Sequence, residues 1–273
     1  MRILIGACAL ASFLVTATGA PARPVQFVTV NGHRLYLTCA GRGSPTVILD
    51  AGLGDDHTAW NRVLTPASRF GSRVCAYDRL GNGRSDPASG PRTLDSAVAD
   101  LHALPLRKPY VLVAHSAGGL IDRRYAQTHP RSAAALVLVE AAPDNLYLRW
   151  RRGVWQSGGE TLDVRAGSRA LGRAGSLGHR PVVAIIAGAD MELPQMPHPD
   201  TFPSWWRAQQ RRIANLSSNS LVTTAAHSDH VVAREQPAII VEAIRLALRS
   251  LQTDDHLPQC RQTRLPKLGA TCP

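Results

Sequence analysis

The chain has 273 residues, of which 44% are hydrophobic and 19% are charged. This length and composition predict one sizeable folded domain and exclude a largely disordered chain. The formal net charge is +11, but the basic residues are scattered and no basic block is interleaved with stacking aromatic residues, so a nucleic-acid partner is not expected.

Residues 1–22 differ in composition from the rest of the chain. Arg2 is the only charged residue among them, residues 3–15 are almost wholly apolar, and Ala20-Pro21-Ala22 is a small-x-small cleavage site. This pattern predicts a secretory signal peptide that is removed after Ala22, and a mature protein that is secreted or periplasmic. The segment is too short and wrongly flanked for a stable transmembrane span, so stable membrane insertion is not expected.

Apolar runs alternate with amphipathic stretches between residues 25 and 252. Strand-like runs occupy residues 25–30, 33–39, 46–49, 73–77, 111–114, 135–139, 181–187 and 221–224. Helical spacing is found in 57–70, 93–104, a stretch that ends at about 129, 202–216 and 237–251. This alternation predicts an α/β fold with a mostly parallel eight-stranded sheet and helices on both faces. Asn31-Gly32 predicts a tight hairpin that adds an antiparallel edge.

The alternation stops between residues 143 and 179, where the sequence shows helical fragments at 146–154 and 162–171. We expect this insertion to form a small helical cap over the carboxyl ends of the strands. The main domain is then residues 23–252, and a proline-containing tail follows at 253–273.

Four cysteines follow the predicted signal peptide, and an even number suits a compartment that permits disulfides. We expect Cys260 to pair with Cys272, which would stabilise the tail by about 3 kcal/mol in the chain-entropy model. The preferred partner of Cys39 is Cys75. The alternative is that these two residues are buried thiols in strands.

Ser116 follows an apolar run and precedes an amphipathic stretch, in the sequence Val-Leu-Val-Ala-His-Ser-Ala-Gly-Gly-Leu. This is a G-x-S-x-G pattern with Ala114 at the first position. A serine at such a strand-to-helix turn presents its hydroxyl above the sheet. Gly118 and Gly119 would let the helix pass close to the strand. The alternative is a serine that only caps a helix.

Five motifs occur in one order along the chain: Ala51-Gly52-Leu53, the loop at 77–85, the turn at Ser116, Gly188-Ala189-Asp190, and His230 seven residues before Pro237. With these motifs the chain resembles the α/β-hydrolase superfamily, in particular its secreted serine-dependent members with a short cap. The resemblance covers about residues 25–252. It implies the α/β-hydrolase fold, an acyl-enzyme mechanism and no cofactor; no metal-ligand spacing occurs either.

The resemblance implies that Ser116 is the nucleophile, Asp190 the acid and His230 the base, in the chain order Ser, Asp, His. Glu140 is the alternative acid, because it ends the preceding strand, where some relatives place it. His227 is the alternative base. A serine hydroxyl is a weak nucleophile near neutral pH and needs an imidazole, which in turn needs a carboxylate to fix its tautomer.

The resemblance also assigns the oxyanion hole to the backbone N–H groups of Leu53 and Ala117. Ala51 stands where the family usually has the histidine of a His-Gly pair. His115 is interpreted as a packing residue. The residues of the loop at 77–85, Arg79 among them, are expected to hold that loop by ion pairs.

The sequence therefore predicts an exported serine hydrolase that cleaves a small-molecule carboxylic ester. An amidase or peptidase, a C–C hydrolase and an acyltransferase are alternatives on the same fold, because a fold does not determine the substrate. A non-catalytic binding protein is the alternative from a different functional class.

Overall fold

The computed structural model describes residues 25–173, 175–190 and 198–273. The predicted signal peptide and its cleavage site therefore lie outside the described residues. Among the described helices, none combines the length and the apolar character that a membrane crossing needs.

One sheet of nine strands organises the domain. Its strands are β1 (Val25–Val30), β2 (His33–Ala40), β3 (Thr46–Asp50), β4 (Val74–Tyr77), β6 (Tyr110–His115), β7 (Ala133–Val139), β10 (Val182–Ala187), β11 (Ser220–Ala225) and β12 (Ala270–Thr271). Their order across the sheet is β1-β2-β4-β3-β6-β7-β10-β11-β12. The six strands from β4 to β11 run parallel, and β1, β2 and β12 add antiparallel edges. The eight predicted strands are all present, and the tail supplies the ninth.

The predicted hairpin between β1 and β2 is confirmed. Asn31 and Gly32 both have positive φ, at 49° and 84°, which is the backbone that a two-residue turn between twisted strands requires.

Helices cover both faces of the sheet. They are α1 (Leu64–Ser68), α2 (Leu94–Ala103), α3 (Gly118–Thr128), α4 (Leu146–Arg149), α5 (Arg165–Gly172), α6 (Phe202–Ala214), α7 (Val232–Glu235) and α8 (Pro237–Thr253). Ile48, Leu112 and Leu136 are neighbours across three strands and face the core under α2, α3 and α6. The alternate residues, such as Val47 and Val111, face α1 and α8. Burial on both faces explains why these strands are apolar throughout.

The insertion at 143–179 contains helices at both expected fragments, as α4 and α5, but α4 is shorter than expected. Between them lies a hairpin of β8 (Val154–Ser157) and β9 (Glu160–Asp163), which the sequence analysis did not predict. The short strand β5 (Arg92–Thr93) pairs with β9 to complete a three-stranded sheet. The physical reason is the Gly158-Gly159 turn, with φ of 55° at Gly158, a conformation that favours a chain reversal over a helix.

The four cysteines lie in the preferred pairs. Cys39 and Cys75 are opposite each other in the β2–β4 register, with sulfur atoms 2.10 Å apart. Cys260 and Cys272 are joined at 1.96 Å and close a ring in the tail. The tail folds back on the domain, because β12 pairs with β11 and Leu265 is fully buried.

Candidate active site

Ser116 lies at the turn between β6 and α3 and has a left-handed backbone, with φ of 50°. A non-glycine residue in this region costs about 1–3 kcal/mol, and such residues cluster at functional sites. Close packing holds the turn: a Cβ on Gly118 would lie 2.7 Å from the Ala51 carbonyl oxygen, and one on Gly119 would lie 2.5 Å from Ala141 Cβ. The turn predicted around Ser116 is therefore present, and both glycines are needed for close approach.

Glu140 occupies the equivalent position at the end of the neighbouring strand, β7. Its backbone is also left-handed, with φ of 47°, and the residue is only 1% exposed. Its carboxylate accepts hydrogen bonds from the backbone N–H of Ala187 at 2.8 Å and from Trp206 Nε1 at 2.8 Å. A buried polar group needs such hydrogen-bond partners to offset the loss of water. Glu140 is therefore a fixed, oriented acceptor.

His230 lies on the loop between β11 and α7, and its Nδ1 is 3.1 Å from Glu140 Oε2. The ring packs edge-on against Trp206, with centroids 5.8 Å apart. Its side chain is 20% exposed. The imidazole is thus held by a carboxylate on one nitrogen while part of the ring remains accessible, as a general base requires.

His115 has a role that the sequence analysis did not predict. Its Nε2 is 2.8 Å from the backbone oxygen of His230, and the two rings are 4.6 Å apart. Because a carbonyl only accepts, Nε2 carries the proton. Burial, and then repulsion by His230, lower the pKa of His115 to about 3, so the ring is neutral. His115, which directly precedes Ser116 in the sequence, therefore holds the loop that carries His230.

The structure corrects the expected position of Asp190. Its side chain is 47% exposed and forms an ion pair with Arg207 on α6, and no contact with His230 is found in the described part of the chain. The reason is that β10 ends at Ala187, whose N–H faces Glu140. Asp190 comes three residues later, at the surface. Sequence reasoning had identified Glu140 only as the alternative.

His227, the alternative base, is exposed and lies beside the tail. Its backbone N–H donates to Gln236 Oε1 at 2.8 Å. A Cβ built on Gly269 would be 3.4 Å from the His227 ring. The structure therefore brings His230, and not His227, to Glu140.

The loop after β3, residues 51–56, carries the predicted oxyanion donor Leu53 and is called the oxyanion loop below. Arg79 donates to the carbonyl oxygens of Ala51 and Gly52, at 2.7 Å each. Among the residues that the structure describes, no acceptor faces the N–H of Leu53 or that of Ala117. Both amides are therefore available to a ligand.

The family model for the alpha/beta hydrolase fold matches residues 45–237. The chain belongs to this family. YqjL of Bacillus subtilis is 24% identical over 219 residues, which are 75% of this chain and 83% of YqjL. Rv2715 of Mycobacterium tuberculosis is 37% identical over 124 residues, which are 43% of this chain and only 35% of Rv2715. Both of these relatives are described as uncharacterized.

Solved structures support the same α/β-hydrolase fold. The structure of Est1E from Butyrivibrio proteoclasticus, with ferulic acid bound, matches with a TM-score of 0.63 at 15% identity. The match covers 84% of this chain and 99% of that one. At this identity the likeness shows the fold alone. Together with the family match, it makes this protein an α/β hydrolase.

A cavity of about 410 Å³ in this α/β hydrolase lies between residues 54–62, which follow Leu53, and residues 231–234, which follow His230, and the cavity lining includes neither Ser116 nor His230. Charged residues of both signs line it, among them Asp55, Asp56 and Arg234. The volume suits a small molecule.

Two buried carboxyls lie behind the oxyanion loop of this hydrolase. Asp50 ends β3 and accepts from the Tyr77 hydroxyl at 3.0 Å and from Arg79. Asp122 of α3 is fully buried, and no N–H or O–H group of the described residues donates to it. Burial, and then the charge of Asp50, raise the pKa of Asp122 well above its usual range. Burial and the neighbouring charge thus both favour the neutral form of the Asp122 carboxyl.

Proposed function

We propose that this α/β hydrolase is an exported serine hydrolase that cleaves small carboxylic esters through an acyl-enzyme on Ser116. His230 acts as the base, and Glu140 takes the role of the acid that we had expected of Asp190. The proposal depends on one observation above all, the contact of His230 Nδ1 with Glu140 Oε2 at 3.1 Å. The His230 ring also packs against the ring of His115, the residue before Ser116, and this contact supports a position of the imidazole close to the serine turn.

Acylation begins when His230 Nε2 takes the proton of the Ser116 hydroxyl and Oγ attacks the ester carbonyl carbon. The carbonyl electron pair moves to oxygen, and the resulting anion is stabilised by the N–H groups of Leu53 and Ala117. A preorganised donor of this kind contributes about 3–4 kcal/mol to the transition state. The buried Glu140 carboxylate stabilises the imidazolium through Nδ1–H.

The tetrahedral intermediate collapses when the C–O bond to the alcohol breaks, and the alcohol leaves with the proton from His230. Water then repeats the sequence: His230 takes a proton from it, its oxygen attacks the acyl carbon, and Ser116 recovers its proton as the carboxylic acid leaves. The unpaired amides of Leu53 and Ala117 support both halves of this mechanism.

A fluorophosphonate probe tests the nucleophile. We expect covalent labelling of the wild-type protein on the peptide that contains Ser116, and no labelling of Ser116→Ala. A folded wild-type protein that is not labelled would favour the non-catalytic binding protein.

A panel of p-nitrophenyl esters of rising acyl length then tests the reaction. Hydrolysis with a burst of p-nitrophenol supports the acyl-enzyme. Labelling at Ser116 without hydrolysis of any ester would favour an amide, a C–C bond or transfer to another acceptor. The relative rates along the panel then define the acyl length that the site accepts.

Export is the remaining part of the proposal. The apolar stretch at residues 3–15 and the cleavage pattern before Arg23 support it. Two disulfide-bonded cysteine pairs also suit an oxidising compartment. Expression with the native leader, followed by N-terminal sequencing of the secreted or periplasmic protein, should give a chain that begins at Arg23. Retention of residues 1–22 on a cytoplasmic protein would contradict export.

A further inference from the structure

Glu160, on the hairpin of the insertion, is buried against the oxyanion loop, with 1% of the residue exposed. Its carboxylate accepts four hydrogen bonds from three residues. Arg79 donates through Nε and Nη2 at 2.7 Å each, Asn82 through Nδ2 at 2.8 Å, and Gly54 through its backbone N–H at 3.0 Å. Burial alone would raise the pKa of Glu160, but the charge and hydrogen bonds of Arg79 lower it below its usual range, so the carboxylate is ionised.

Arg79 links Glu160 to the two residues that precede the oxyanion donor Leu53. Its Nη1 donates to the Ala51 carbonyl and its Nη2 to the Gly52 carbonyl, both at 2.7 Å. The Gly52 carbonyl and the Leu53 N–H belong to the same peptide plane and point in opposite directions. Because Arg79 holds that carbonyl, it also determines where the Leu53 N–H points.

The hairpin is in close contact with two loops at glycines. A Cβ on Gly54, in the oxyanion loop, would lie 2.5 Å from Ser157 Oγ, and one on Gly159 would lie 2.2 Å from the carbonyl oxygen of Gly81, in the loop at 77–85. The turn of the hairpin thus packs directly on both loops, which cannot shift away from it without breaking the hydrogen bonds of Glu160. The sequence analysis had expected Arg79 to hold only its own loop.

We propose that Glu160 is a positioning residue for the oxyanion hole, acting through Arg79 and the Gly54 amide to orient the Leu53 N–H. Part of the insertion then belongs to the catalytic framework and does not only cover it. This inference depends on the proposed function, because it concerns stabilisation of an oxyanion on Ser116.

The test compares Glu160→Gln with Glu242→Gln as a matched control. Glu242 is also buried, at 4% exposed, and also accepts two hydrogen bonds of 2.7 Å from one arginine, Arg245, but it lies on α8. Both variants replace a buried carboxylate beside an arginine. Only the first changes the residues that hold the oxyanion loop.

The readouts are kcat and KM for a p-nitrophenyl ester, and the inhibition constants of a trifluoromethyl ketone and of the product acid. Ser116 Oγ adds to the carbonyl carbon of the ketone, and the ketone oxygen becomes an anion at the position that the oxyanion of the tetrahedral intermediate would occupy. We expect Glu160→Gln to lower kcat and weaken the ketone by about 10- to 100-fold, because the donor is displaced and not removed. KM and product inhibition should stay within about two-fold. Glu242→Gln should leave all four values within about two-fold.

A folded Glu160→Gln with unchanged kcat and unchanged ketone inhibition would overturn the inference. If Glu160→Gln does not fold, Asn82→Ala removes only one of the four hydrogen bonds. It should weaken the ketone in the same direction by about three-fold, and no change in the folded Asn82→Ala would overturn the inference equally. A wild-type protein that neither reacts with fluorophosphonate nor binds the ketone would instead refute the proposed function.

Discussion

The identity of the acid can be decided by comparing Glu140→Gln with Asp190→Asn. In the structure Glu140 faces three donors, from Ala187, Trp206 and His230. A glutamine has no charge to stabilise the imidazolium, and kcat/KM for a p-nitrophenyl ester should fall about 10³- to 10⁴-fold, or about 4–5.5 kcal/mol. The side-chain amide also turns an NH₂ group toward at least one buried donor, which should lower the free energy of unfolding by about 1–3 kcal/mol.

Asp190→Asn should behave differently, because its partner is Arg207 at the surface and its side chain is 47% exposed. An exposed ion pair contributes about 0–1 kcal/mol, so stability should barely change. We expect kcat/KM to remain within about two-fold of the wild type. Urea unfolding of both variants at the assay temperature establishes that each is folded. A folded Glu140→Gln that keeps most of its activity, together with an inactive Asp190→Asn, would refute the reasoning.

Three further predictions follow from single features of the structure. His230→Ala should lower kcat/KM at least about 10³-fold while His227→Ala stays within about two-fold, in the same ester assay; the reverse result would assign the base to His227. Replacing both Cys260 and Cys272 by serine should lower the free energy of unfolding, measured in urea, by about 3 kcal/mol. A loss below about 1 kcal/mol would contradict the expected stabilisation of the tail by this disulfide. Burial and a neighbouring carboxylate raise the pKa of Asp122, so the folded state holds a proton that the unfolded chain releases above about pH 4. The contribution of this group to the free energy of unfolding therefore falls by up to about 1.4 kcal/mol per pH unit above that pH. Asp122→Asn should remove this slope and be relatively more stable at pH 8 than at pH 4.5; an equal difference at both pH values would count against the protonated carboxyl.

The features that sequence reasoning placed well are local in the chain. The strand runs were found because residues buried on both faces are continuously apolar. The turn at Ser116 was found because its small residues and glycines lie within a few positions of the serine. The helical fragment expected at 146–154 was too long because the Gly158-Gly159 turn favours a hairpin, and the periodicity alone did not weigh that turn.

Sequence reasoning preferred Asp190 as the partner of His230, because carboxylates follow two neighbouring parallel strands and the sequence alone does not show which one reaches the histidine. Judged from the sequence alone, both Glu140 and Asp190 follow a strand and could lie at the carboxyl edge of the sheet. The structure separates them through the Ala187 amide and Trp206, which both donate to Glu140, and through Arg207, which holds Asp190 outside. The Nε1–H of Trp206 gives this residue a polar role that aromatic composition does not reveal.

The sequence by itself determined the α/β architecture, the turn at Ser116 and the position of His230 in the chain, because periodicity and turn residues act over short separations. Only the tertiary structure decided which carboxylate meets His230 and which residues hold the oxyanion loop. Glu140 and His230 are 90 residues apart, and Arg79 and Glu160 are 81 residues apart. Contacts at such separations depend on how the strands are ordered in the sheet and where the insertion folds back, and no local pattern specifies either one.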